Sequence, residues 1–184
     1  MAKTPSNMLP LGTSAPLFSL PDAISGNQVS LQIDPQYKAV LIMFICNHCP
    51  YVKHINHALV ELAQDYLPKA VRMIAINSND ADHYPEDSPE NMKKLAEQEQ
   101  YPFPYLFDAT QEVAQEYHAA CTPDFFLFNT KLELVYRGQL DDSRPGNQIP
   151  VTGHHLRTAL DQLLAHQAIT IEQKPSLGCN IKWK

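Results

Sequence analysis

The 184-residue chain carries 14 Lys and Arg against 20 Asp and Glu, a formal charge of −6, with 44% hydrophobic and 18% charged residues. That is the usage of one globular domain large enough to fold without disulfide or metal staples, and mild acidity without a Lys/Arg run excludes nucleic acid and anionic membranes as main partners. The polar opening Met-Ala-Lys-Thr-Pro-Ser-Asn and the lack of an apolar run of membrane-spanning length predict a cytoplasmic chain with neither export signal nor membrane span.

In chain order, residues 15–21 and 28–31 flank Ser25-Gly26-Asn27 and read as an N-terminal β-hairpin. Residues 37–46 (YKAVLIMFIC) are an unbroken apolar run, the pattern of a strand covered on both faces. Beyond Pro50, Ile55, Leu59, Leu62 and Tyr66 recur at helical spacing as far as Pro68, with Lys53, Asn56 and Gln64 turned elsewhere. Residues 71–76 form the next strand, and Ser88-Pro89-Glu90 opens a helix to about Gln98, with Ser88 as N-cap and Pro89 at the first helical position. A short strand at 105–107, a helix at 111–119, a hairpin of 125–128 with 132–136 around Asn129-Thr130-Lys131 and a last amphipathic helix at 153–166 follow. This order predicts a single α/β domain over 1–184, with a mixed central sheet flanked by helices and residues 167–184 as a C-terminal tail.

Four cysteines, Cys46, Cys49, Cys121 and Cys179, are too few for a disulfide scaffold, so their role is read as chemical. Cys46-Asn47-His48-Cys49 falls where the central strand ends and a helix begins, the end at which open α/β sheets place their sites. The helix N-terminus and a neighbouring His48 would favour a thiolate at Cys46, and Cys49 is spaced to attack a mixed disulfide there. A metal reading uses Cys46, Cys49, His54 and His57 as a C-x2-C-x4-H-x2-H set for zinc or copper. A hydrolytic Cys-His reading lacks an orienting carboxylate near His48. Asp80, Asp82, Glu86, Asp87 and Glu90 read as a solvated acidic loop, and His154-His155 as exposed.

Taken together, Leu11-Gly12-Thr13-Ser14-Ala15-Pro16, Cys46-Asn47-His48-Cys49-Pro50-Tyr51-Val52, Cys121-Thr122-Pro123-Asp124 and Tyr136-Arg137-Gly138-Gln139 resemble the thioredoxin-fold superfamily. Within it they resemble AhpC/TSA-related peroxiredoxin-like proteins that carry a C-x-x-C active site. The terminal Gly178-Cys179-Asn180-Ile181-Lys182-Trp183 is similar to the same subgroup. The resemblance implies a thioredoxin-like fold with an N-terminal hairpin extension and thiol-disulfide exchange without a bound cofactor. It makes Cys46 the nucleophile, Cys49 the resolving thiol and His48 the group that tunes Cys46. It also implies a cis Pro123 that exposes the Thr122 backbone for pairing with a thiol or disulfide substrate, protein or small molecule. Met43 and Ala39 stand where peroxiredoxins carry the Thr and Pro of their peroxide site, so exchange is favoured over hydroperoxide reduction. The alternatives are a thiol peroxidase resolved by Cys49 or Cys121 and a metal-binding chaperone of the same fold. Cys121 and Cys179 are candidates for further redox thiols, and the tail is expected to pack through Ile181 and Trp183.

Overall fold

A computed structural model describes residues 3–184; Met1 and Ala2, part of the polar N-terminus, lie outside the described residues. The chain runs β1 (Lys3–Pro5), β2 (Ser19–Pro21), β3 (Gln28–Ser30), β4 (Ala39–Phe44), α1 (Pro50–Tyr66), β5 (Val71–Asn77) and α2 (Pro89–Glu99). It continues through β6 (Tyr105–Phe107), α3 (Glu112–Glu116), β7 (Cys121–Thr122), β8 (Asp124–Phe128), β9 (Leu134–Gly138), α4 (His154–Leu164) and β10 (Leu177–Asn180). The main sheet has the order β6-β5-β4-β8-β9, with β4, β5 and β6 parallel and β8 and β9 antiparallel to their neighbours. This is the expected mixed sheet of a thioredoxin-like α/β fold.

The apolar run of β4 works as a doubly covered strand because side chains alternate across it. Leu41 and Met43 join the cluster built with Ile55, Leu59, Leu156 and Leu160 of α1 and α4, whereas Val40, Ile42 and Phe44 join Tyr117, Phe126 and Phe128 on the other face. Helix α1 starts at Cys49, whose extended backbone caps it, and Pro50 occupies the first turn, where an N–H would have no intrahelical partner. Its buried stripe includes Asn56, contrary to the outward face expected, because Asn56 Oδ1 accepts a hydrogen bond from Tyr101 Oη at 2.9 Å. Helix α2 begins as foreseen, with Ser88 Oγ accepting from Asn91 N.

The N-terminal hairpin is present but shorter, β2 with β3, and it is joined to the β6 edge by a bridge between Asp22 and Leu106. The larger departure is the tail. Residues 174–184 are built into the fold: Gln139 N donates to Lys174 O, and β10 sits between β1 and β7 in a second, three-stranded sheet. Ile181 is buried as expected, but Trp183 is 44% exposed, so the tail is held by backbone pairing and not by an indole anchor. His155 is also buried, against Gln139, while His154 is exposed.

Register explains why β10 needs its glycine. Cys179 lies opposite Thr122, and a Cβ on Gly178 would stand 1.8 Å from the Thr122 carbonyl oxygen and 2.6 Å from its carbon. Neither atom can yield, because both are backbone. Gly178→Ala is therefore expected to unseat β10 and lower stability by about 1–3 kcal/mol, the usual range for overpacking. Chemical denaturation with amide exchange across β7 and β10 checks this; unchanged exchange there would count against the pairing.

Candidate active site

Parallel pairing places the carboxyl ends of β4 and β5 side by side, so Cys46-Asn47-His48 of one crossover meets Asn77-Ser78-Asn79 of the next. The antiparallel partner of β4 brings in the start of β8 and, just before it, Thr122 and the cis peptide to Pro123. The expected cis bond at Pro123 is thus present. Three chain segments converge on the turn that opens α1.

Both cysteines of that turn touch one residue. Cys46 Sγ lies 3.2 Å from Thr122 Oγ1, and Cys49 Sγ lies 3.3 Å from the Thr122 carbonyl oxygen. A third sulfur completes the group, with Cys179 Sγ 2.8 Å from Cys49 Sγ. All three thiols are free and buried. Cys121 is free and buried too but belongs elsewhere: strand alternation turns it away from Thr122, and its closest polar partner is the Pro123 carbonyl at 3.9 Å. Of the two further redox candidates, the structure brings Cys179 to the site and leaves Cys121 outside the group. The Thr122 edge expected to await a substrate is paired with Cys179 instead.

Proton sharing sets the charges. A hydrogen bond from the Cys46 thiol pulls the Cys49 pKa down to about 5, aided by the Cys179 thiol and the Val52 N–H, against the opposing effect of burial. Cys46 is pushed well up by donating that bond, by burial and by the charge of Asp87. Within the pair the shifts thus run opposite ways, down at Cys49 and up at Cys46, whereas the helix-end reading expected the lowered thiol to be Cys46. Burial, together with donation to Cys49, pushes Cys179 up to about 12. Burial raises Cys121 further still, with Asp124 adding to the shift.

The orienting carboxylate missing from the sequence reading is Asp87. Far from lying in a solvated loop, it is fully buried and accepts four hydrogen bonds. They come from Asn47 N at 2.7 Å, Asn77 Nδ2 at 3.2 Å, Asn79 Nδ2 at 2.8 Å and His48 Nδ1 at 2.5 Å. Asp80 is buried as well, while Asp82, Glu86 and Glu90 are exposed as expected. The bond to Asp87 raises the His48 pKa over the opposing effect of burial. Burial works to raise Asp87, but the bonds from His48, Asn79 and the Asn47 N–H outweigh it and hold the carboxyl below its ordinary range. Tyr84 stacks on the imidazole with centroids 5.6 Å apart. A signal did exist: the amides of Asn77 and Asn79 follow directly on a buried strand parallel to β4, at the same sheet end as the cysteines.

Cys46, His48 and Asp87 place one ligand atom each within 4.8 Å of one another and are the residues that could hold a metal ion. Both Asp87 oxygens are already engaged in the four bonds above, however. The C-x2-C-x4-H-x2-H set does not assemble, because His54 Nε2 is hydrogen-bonded to Ser143 Oγ and His57 is exposed beside Glu61.

The AhpC/TSA family profile matches residues 11–137. Among solved structures the chain is similar to an uncharacterized conserved protein from Geobacillus kaustophilus, at 62% identity and TM-score 0.97, covering 100% of this chain and 97% of that one. It is similar to a hypothetical protein from Sinorhizobium meliloti 1021 at 48% identity and TM-score 0.95, with 98% of both chains covered. The thioredoxin domain of a thiol-disulfide oxidoreductase from Bacteroides vulgatus shares its fold at 21% identity and TM-score 0.60, over 74% of this chain and 91% of that one. No curated protein matches.

The dyad has a defined pH window. His48, raised from 6.5, contributes stability that is complete below that value and is lost as pH rises through its folded pKa; Asp87, lowered from 3.8, contributes above that value and loses it as pH falls through its folded pKa. Their pairing is therefore complete between about pH 3.8 and 6.5. Asp87→Asn should return the His48 titration toward or below 6.5, read by the pH dependence of its imidazole NMR signals. An unmoved titration would mean that Asp87 does not set the protonation of His48.

Proposed function

The chain belongs to the AhpC/TSA family, and from that premise we propose that it is a thiol-disulfide oxidoreductase working through Cys46 and Cys49. One observation carries the reading: both sulfurs of a single turn are held on one residue, Thr122, Cys46 by its hydroxyl at 3.2 Å and the Cys49 thiol by its carbonyl at 3.3 Å. Cys46 gives up its proton and its sulfur attacks the substrate disulfide; the Cys46–substrate bond forms and the substrate S–S bond breaks. His48, protonated against Asp87, gives its proton to the leaving thiolate. Cys49 then attacks the Cys46 sulfur, which forms the Cys46–Cys49 disulfide and expels the second substrate thiolate; the protons given up by Cys46 and Cys49 reprotonate His48 and protonate that thiolate. One substrate disulfide becomes two thiols while two protein thiols are oxidised. The reverse sequence oxidises a dithiol.

The Thr122 hydroxyl on Cys46 favours a second reading, reduction of a hydroperoxide to an alcohol with Cys46 passing through a sulfenic acid that Cys49 resolves with release of water. The Met43 and Ala39 positions of β4 are fully buried in the core, so the hydroxyl beside Cys46 comes from the Thr122 side of the site. This supports exchange as the first reading.

Cys49→Ser should trap a stable mixed disulfide between Cys46 and a model disulfide, and Cys46→Ser should lower turnover by about 100-fold or more, as loss of a covalent nucleophile does. Insulin-disulfide reduction and mass mapping of the trapped adduct check both. Peroxide consumption exceeding disulfide exchange would replace the first reading with the second. The thiolate absorbance of the wild type should titrate near pH 5 and move upward in Cys46→Ala, which removes the donor.

A further inference from the structure

We propose that Cys179 is a third redox-active thiol, which takes the disulfide from Cys46–Cys49 onto Cys49 and sets Cys46 free. The inference rests on the dithiol reading above and extends it to the C-terminal strand. Three observations carry it. Cys49 Sγ lies 2.8 Å from Cys179 Sγ and shares Thr122 as a partner with Cys46, three positions earlier in the same turn. The β10–β7 register puts Cys179 opposite Thr122, the residue that holds the other two thiols. And the contact is built, not incidental, because Gly178 lets the strand approach Thr122 where any side chain would collide.

Cys179 is only 3% exposed and Cys49 is fully buried, so the sulfur that Cys179 can reach is the one inside the protein. The step balances within the chain. Cys179 gives up its proton and its sulfur attacks Cys49; the Cys49–Cys179 bond forms, the Cys46–Cys49 bond breaks, and Cys46 leaves as a thiolate that takes up the proton. No electrons enter or leave. Oxidation of Cys49 removes the negative charge that opposes ionisation of Cys179, and nearby Lys182 favours the Cys179 thiolate. The oxidised chain can then hold its disulfide between α1 and β10 while Cys46 is again a nucleophile.

Full-length protein would be equilibrated in graded glutathione buffers, quenched in acid, alkylated and mapped by peptide mass. In the wild type, both Cys46–Cys49 and Cys49–Cys179 are expected, in a ratio that stays constant as the potential is varied, because the step between them consumes no electrons. Cys179→Ser should show Cys46–Cys49 alone, and Cys46→Ser should still form Cys49–Cys179 as a reversible two-electron couple. If the oxidised wild type holds only Cys46–Cys49 and Cys46→Ser yields only a glutathione adduct, Cys179 is a structural thiol and the proposal fails while the dithiol reading stands. A Cys179→Ser protein that forms no Cys46–Cys49 would instead overturn the dithiol reading itself.

Discussion

The pairing of β10 with β7 at Thr122 is the contact on which the site depends. A two-residue strand before a cis-proline has few hydrogen bonds of its own, and β10 covers it with help from both sides. Ser176 Oγ donates to Pro123 O at 2.5 Å, Ile181 N to Ala120 O at 3.1 Å, and Lys182 N to Asn79 Oδ1 at 2.8 Å. Ser6 and Ser176 exchange further bonds that bring β1 against the outer edge of β10. An exposed edge at this point would invite pairing with any extended chain. With β10 in place, the edge is satisfied internally and Cys179 is brought against Cys49.

A second constraint is the Asp87 carboxylate. Burying an unpaired carboxylate would cost several kcal/mol, so the fold surrounds it with four donors. Those donors are not a generic solvation shell. The Asn47 N–H belongs to the cysteine turn, Asn77 and Asn79 to the end of β5, and His48 to the turn again, so the charge ties α1's entry to the neighbouring crossover. Asn47 is fixed in addition by Tyr105 Oη at 2.9 Å and by its own donation to Glu86 O at 2.8 Å. The imidazole that faces Cys46 is therefore positioned by the same network that balances the buried charge.

Which parts were legible in the sequence follows from where the information lies. The β4 run, the α1 stripe and the Ser88 cap are local patterns, and each became the element expected of it. The position of Cys46 and Cys49 at a strand-to-helix turn followed from the same patterns. Asp87 was misread because charge-rich loops are usually solvated, and its burial depends on asparagines eight and ten residues back in the chain as well as on a turn some forty residues earlier. Cys179 met Cys49 across 130 positions of sequence through a pairing of short strands without hydrophobic periodicity. Asn56 looked polar and outward because only its distant partner, Tyr101, makes burial favourable. These three are buried polar or sulfur groups whose partners come from other elements of the fold, which periodicity does not report.

Burial also dictates how the site can move charge. Three thiols within one apolar pocket cannot all ionise, because a second thiolate would be desolvated beside the first. The opposite shifts of Cys46 and Cys49 keep the pair from carrying two charges at once, and the hydrogen bond to Asp87 favours a protonated His48. Any transfer of an S–S bond among these sulfurs must therefore carry a proton with it. Among the described residues, His48 both approaches Cys46 and has partial access to solvent, 15% exposed at its side chain. On the proposed exchange reading, protons pass to water through the imidazole that Asp87 holds and the disulfide passes along the sulfurs that Thr122 contacts. The two paths meet at Cys46.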